Sequence, residues 1–175
     1  MSAWTVIQHI EAPSGQANIT FSSIPSTYTD LLLVVSARSV NASTDDALLF
    51  DLNGSTSNKS IMILRGNGST VTSGAGSYFA MGYVSAANAT SNTFGNAVLY
   101  IPNYANSSNK IMSADGVFEN NATTALQQIQ ALLWSNTAAI NEIKLRLDST
   151  SNFAQYSSAT LYGITKGSSG GVTVS

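Results

Sequence analysis

From Ile140 to Leu147 the chain reads Ile-Asn-Glu-Ile-Lys-Leu-Arg-Leu. In an extended strand this sets Ile143, Leu145 and Leu147 on one side and Glu142, Lys144 and Arg146 on the other. A period of two suits a strand with one side on a core and one in water; it gives a helix no continuous apolar stripe. No stretch sustains a helical period over three turns. Apolar runs instead recur at short intervals, giving predicted strands at 4–10, 17–21, 31–39, 47–52, 59–64, 78–84, 94–101, 110–118, 127–134, 139–147 and 159–166. Between them stand clusters of turn-forming residues: Pro13-Ser14-Gly15, Asn53-Gly54, Gly66-Asn67-Gly68, Ser73-Gly74-Ala75-Gly76, Pro102-Asn103, Asn120-Asn121 and Ser149-Thr150-Ser151-Asn152. Strands this short and this regularly punctuated predict an all-β chain, a jelly-roll-like antiparallel β-sandwich.

Two segments depart from simple alternation. Leu31-Leu32-Leu33-Val34-Val35 is apolar on both faces, which suits a central strand covered by a sister sheet on one side and a neighbouring subunit on the other. The stretch from Asn121 to Gln128 has some helical potential and is read as a loop leading into a strand. With 175 residues, the chain can bury a core without disulfides or metals. One sandwich domain over residues 1–166 is expected, followed by a flexible tail, 167–175, that opens with Gly167-Ser168-Ser169-Gly170-Gly171. No repeat of solenoid or propeller period is visible.

Charge narrows the classes of function. Only 9% of the residues are charged, against about 25% in ordinary domains, so Ser, Thr, Asn and Gly must wet the surface. A chain so poor in charge is expected to hide its strand edges and apolar patches by closing on itself, by assembling, or both. Seven Lys and Arg against nine Asp and Glu leave no basic stripe for phosphates, the nearest approach being Lys144 with Arg146. Neither nucleic acid nor a membrane is an expected partner. No segment resembles a secretory leader or a run of about 18 apolar residues. The several Asn-x-Ser/Thr triplets, such as those at Asn18, Asn53 and Asn88, are read as products of composition. The absence of cysteine removes disulfides, thiolate nucleophiles and Cys-based zinc sites together.

Catalysis finds little to build on. The one histidine, His9, lies in an alternating segment and is read as an outward-facing strand residue rather than the base of a triad. The acids Glu11, Asp30, Asp45, Asp46, Asp51, Asp115, Glu119, Glu142 and Asp148 form no local pair of the kind a glycosidase needs. Asp45-Asp46 and Asp51-Leu52-Asn53-Gly54 offer hard oxygens for calcium, but an apolar run from Ala47 to Phe50 separates them and reads as strand. The glycines of 66–68 and 73–76 lack the Lys-Ser/Thr of a phosphate loop and are read as turns. No enzyme, cofactor or metal site is therefore expected. Trp4 and Trp134 are assigned to a core or an interface. Tyr28, Tyr83, Tyr100, Tyr104 and Tyr156 stand near strand ends, where one or two could contact a glycan.

Five phrases carry a resemblance as a set: Ile24-Pro25-Ser26-Thr27-Tyr28-Thr29-Asp30-Leu31, Ser36-Ala37-Arg38-Ser39, Phe50-Asp51-Leu52-Asn53-Gly54, and Asn152-Phe153-Ala154-Gln155-Tyr156-Ser157 with Leu161-Tyr162-Gly163-Ile164. Over residues 4–166 the chain resembles small virion proteins of tailed phages, some of which decorate capsids while others belong to tails or fibres. The resemblance implies a jelly-roll-like sandwich without enzymatic activity, assembled on a symmetric particle, often as a homotrimer. The major capsid protein, or host-surface glycans for a tail component, would then be the partner. Because the chain ends soon after its last strand, without a shaft, the expectation leans to a capsid decoration or cement protein located on the virion. The same residues have structural readings: Pro25 as a bend, Asn53-Gly54 as a tight turn, and Gly163 as room for a close backbone.

Overall fold

The computed structural model describes residues 4–119, 121 and 124–165. Twelve strands lie among them: β1 Trp4–Glu11, β2 Asn18–Phe21, β3 Asp30–Ala37, β4 Asp45–Leu52, β5 Lys59–Gly66, β6 Val71–Gly76, β7 Ala80–Ser85, β8 Gly95–Ile101, β9 Lys110–Glu119, β10 Ala125–Trp134, β11 Ile143–Leu147 and β12 Ser158–Ile164. They form two antiparallel sheets. One has eight strands in the order β1-β12-β3-β8-β9-β10-β5-β6, and the other has four in the order β2-β11-β4-β7.

The connectivity is that of a jelly roll with two hairpins added. Setting aside β5–β6 and β9–β10 leaves β1-β12-β3-β8 in one sheet and β2-β11-β4-β7 in the other. Strands β4 with β7, β3 with β8, β2 with β11 and β1 with β12 are then the rungs of one long hairpin rolled into two layers. The added hairpins extend the first sheet by four strands past β8, beyond the width of the second.

The core lies between the layers. Leu31, Leu33 and Val35 of β3, Leu99 and Ile101 of β8, Phe50 of β4 and Leu145 of β11 are all sealed from solvent, each contributing about 1.5–3 kcal/mol by burial. Phe50 and Phe79 stack at 5.0 Å. Where β7 crosses β9 the layers approach more closely. A β-carbon on Gly116 would stand 2.9 Å from the Met81 carbonyl oxygen, and Gly82, at a φ of +123°, faces the Gly116 Cα. Only glycine fits both positions.

Sequence and structure differ at several points. Ser73-Gly74-Ala75-Gly76 is the body of β6 and not a turn. The turn falls earlier, at Asn67–Thr70, where Gly68 takes a φ of +85° and Asn67 Oδ1 accepts bonds from the Ser69 and Thr70 amides. The strand expected from residue 139 starts at Ile143, because the Asn141 and Glu142 amides donate to Asn53 Oδ1 rather than to a ladder. On β3, Leu31, Leu33 and Val35 are covered by the second sheet, but Leu32 is half-buried and Val34 exposed on the other side. Trp134 is in the core as expected, whereas Trp4 is 52% exposed. Lys166, the tail 167–175, Asn120, Ala122 and Thr123 lie outside the described residues.

Candidate interaction surface

Four of the acids are tied into the scaffold by hydrogen bonds. Asp51 Oδ1 receives Lys59 Nζ at 2.6 Å and Oδ2 receives Arg146 Nε at 3.0 Å. Burial alone would raise the Asp51 pKa, but the hydrogen bonds and charges of Lys59 and Arg146 outweigh it and hold the carboxyl below its ordinary value. Asp46, buried, accepts from Ser39 Oγ, Ser149 Oγ and the Ser149 amide. Asp30 accepts from Tyr100 Oη at 2.9 Å and the Asn103 amide at 2.8 Å. Glu119 accepts from the amide and hydroxyl of Thr90. Asp45 and Asp46 point to opposite faces of β4, and Asp51 stands six residues along from Asp45, about 20 Å of strand. The oxygens considered for calcium therefore do not converge, and among the described residues no three metal-ligating side chains do. His9 is exposed on β1, its Nδ1 2.7 Å from Thr160 Oγ1.

The tyrosines separate in the same way. Tyr104 is buried, with its hydroxyl donating to the Pro25 carbonyl. Tyr83 stacks on Phe118 beneath the Arg65 guanidinium. Tyr28 packs on Gly163. Tyr156 and Tyr100 are exposed.

What the structure does bring together is the outward face of the eight-stranded sheet. Strand register lays its side chains in rows. One row runs Val6, Tyr162, Leu32, Tyr100, Ser113, Ala131, Met62; the next runs His9, Thr160, Val34, Val98, Asp115, Ile129, Leu64. Met62 is 60% exposed, Ile111 69% and Ile129 48%. Across Met62, Leu64, Asp115, Ile129 and Ala131 the face dips into a hollow of about 440 Å³. Seven inter-strand spacings make the face roughly 34 Å wide, and seven residues of strand make it roughly 23 Å tall. This area compares with the ~800 Å² that one partner brings to a standard protein interface.

Strand β10 fixes the sense of this face. It buries Leu126, Leu132 and Trp134 in the ordinary way, but at its middle Gln128 and Gln130 point between the sheets and are buried while Ile129 points to solvent, a local reversal of the half-buried pattern. The reversal is stable because β7 brings polar backbone against it. With the Gln130 amide turned so that Nε2 donates to the Ala114 carbonyl at 2.9 Å, its Oε1 accepts from Gln128 Nε2 at 3.0 Å and from the Gly82 amide at 3.2 Å. In the sequence, this signal was the pair of glutamines alternating with Ile129 and Ala131.

The charges on the face are acidic, with Glu11, Asp30 and Glu119 towards its margins. Asp115 stands at its centre between Val98 and Ile129, with no hydrogen bond or ion pair to any described residue. No Lys or Arg of the described chain lies on this face. Arg38, Lys59, Arg65 and Lys110 are engaged elsewhere, and Lys144 and Arg146 sit on the far side of the smaller sheet.

Fold and face together define a jelly-roll β-sandwich with one broad, largely apolar surface that the described residues leave uncovered. In comparisons with known proteins, no family model, curated protein or solved structure matches the chain.

Proposed function

We propose that this protein is a structural component of a tailed-phage particle, a capsid decoration or cement protein that binds the major capsid protein and stabilises capsomer junctions. The observation that carries the reading is the outward exposure of Met62, Leu64, Ile111 and Ile129, the last between two buried glutamines of β10: apolar side chains spent on the solvent side of a sheet are explained when that side is covered in assembly. The resemblance of the five sequence phrases to small phage virion proteins supplies the particle. A homotrimer at a local threefold of the shell would lay three such faces across subunit boundaries, and many weak apolar contacts would add through avidity without strong ion pairs. Asp115 sets the chemistry of the surface it meets, since a carboxylate buried there needs a cation or hydrogen-bond donor from the partner. The work is binding, not catalysis. Purified protein is expected to add stoichiometrically to expanded, undecorated shells and to raise their melting temperature; shells that neither take it up nor gain stability would refute the reading.

One observation favours a second reading, a tail or fibre component that recognises host-surface glycans. Trp4 and Tyr162 meet edge to face at 6.4 Å on the outward face, and Tyr100 is exposed one strand beyond β3, giving aromatic surface on which sugar rings could stack. Adsorption to host cells that is lost in Trp4→Ala, without any uptake by shells, would select it.

A further inference from the structure

A sheet edge exposes a row of unpaired backbone donors and acceptors, and folded proteins blunt such edges. Three of the four edges here are blunted. Strand β1 carries a register shift between Val6 and Gln8 and bears His9 and Glu11. Strand β2 is four residues long. Strand β7 has an irregular register against β4, packs down on β9 and is bridged at Ser85 by Arg38. Strand β6 has none of these devices. Its six residues, Val-Thr-Ser-Gly-Ala-Gly, include no charge and no proline, pair with β5 in unbroken register, and are exposed but for a half-buried Gly76.

The alternation of the ladder says which groups face outwards. At the hairpin turn the Asn67 amide donates to the Thr70 carbonyl at 3.2 Å. Hydrogen-bonded pairs recur at every second residue, so Arg65 with Thr72, Ile63 with Gly74 and Ile61 with Gly76 are the bonded pairs of β5 and β6. The N–H and C=O groups of Val71, Ser73 and Ala75 therefore point away from β5, to the side where no described strand lies. These three residues also carry their side chains on the outward face, in line with Gly66, Leu64 and Met62.

We infer that β6 is a self-pairing edge, at which a second copy of this chain adds its own β6 antiparallel across a twofold axis. An uncharged strand with evenly spaced free groups is complementary to itself in that arrangement. The register that uses every free group places Ser73 on the axis opposite Ser73 of the second copy, and Val71 opposite Ala75, forming about six inter-chain hydrogen bonds. Antiparallel pairing keeps opposed residues on one face, so the two apolar faces join into one, with Val71 of each copy beside Ala75 of the other. The contact is separate from shell binding. Threefold assemblies on a particle would gain from it a second, twofold link to their neighbours.

The chain has no cysteine, which makes the register directly testable in the full-length protein. Opposed residues of a bonded pair stand about 5.5 Å apart at Cα, within disulfide reach, whereas Thr72 lies opposite Gly74 of the second copy and beyond reach of its own counterpart. Under mild oxidation Ser73→Cys is expected to give a covalent dimer at least about tenfold faster than Thr72→Cys. Ser73→Pro removes only an outward N–H and leaves the β5 ladder intact; it is expected to keep the native circular dichroism spectrum and to lower the dimer fraction seen by sedimentation. Equal crosslinking of the two cysteine variants would overturn the inference. So would a native protein that stays monomeric at several hundred micromolar, including one whose edge is taken by its own residues 166–175.

Discussion

The ring of Tyr28 fills the place where a β-carbon on residue 163 would stand, 2.3 Å from the ring Cγ. Gly163 lies on β12 opposite Leu31 of β3, so the ring covers the sheet at its very end and locks the segment entering β3 against the last strand. The glycine makes room for a side chain, not for the close backbone expected from the sequence.

Adding a methyl group at that position forces the Tyr28 ring out. Gly163→Ala is expected to cost about 1–3 kcal/mol, a fall in Tm of several degrees for a chain of this size. Tyr28→Ala exposes the same surface, so the double variant should be less destabilised than the sum of the single ones. Urea unfolding of the four proteins measures the coupling, and strict additivity would contradict the contact.

Acid should weaken the fold through Asp51. Its folded-state pKa is depressed below the ordinary 3.8, so its bonds to Lys59 and Arg146 contribute fully above that value. The contribution is lost as pH falls through the depressed one. Thermal unfolding from pH 6 to pH 2 is expected to show a drop in Tm that is smaller in Asp51→Asn, which lacks the titrating group. An identical acid slope in both proteins would remove Asp51 from the account.

Arg38 holds the loop after β7 without a carboxylate. Its Nη1 donates to the carbonyls of Thr90 and Thr93 at 2.8 and 2.7 Å, and Nη2 to that of Ala89 at 3.2 Å, while Glu119 takes the Thr90 amide from the other side. A lysine has no fork to span these oxygens. Arg38→Lys is expected to speed amide exchange in 87–93 by about tenfold, equivalent to roughly 1.4 kcal/mol of local opening, with β3 and β8 unchanged. Unchanged exchange in the loop would show that the guanidinium is dispensable.

How far the sequence discloses this molecule depends on what each side chain is asked to do. Strand β11 is legible because Lys144 and Arg146 need water while Ile143, Leu145 and Leu147 need the core. Strand β6 is not, because Thr, Ser, Gly and Ala carry no pattern, and only pairing with β5 makes them a strand. The acids look like a reservoir of ligands in one dimension; folding gives Asp30, Asp46, Asp51 and Glu119 separate donors. The outward face is half-legible. On β3 the apolar positions alternate between the core and the outward side, Leu32 and Val34 standing on the latter, yet on β10 Gln128 and Gln130 go inside while Gln127 stays out. That inversion depends on Gly82 of β7, far away in sequence, arriving with a backbone amide.

Substitutions on the outward face separate folding from assembly. Ile129→Lys and Leu64→Lys lie outside the core and are expected to change stability by no more than about 0.5 kcal/mol, while reducing uptake on shells at least about tenfold. Asp115→Asn keeps a hydrogen-bonding group and should bind better than Asp115→Leu if the partner supplies a donor. A loss of folding equal to the loss of binding would assign these side chains to stability instead.

Thiol labelling of Ile129→Cys, compared with Thr20→Cys on the exposed side of the smaller sheet, tests the working face most directly. Free in solution, both cysteines should react at similar rates. On decorated shells, the cysteine at 129 is expected to become at least about tenfold slower, as the covered centre of an interface excludes solvent, while that at 20 keeps its rate. The reverse pattern, protection at 20 with full reactivity at 129, would mean that the broad apolar face is not the surface that binds.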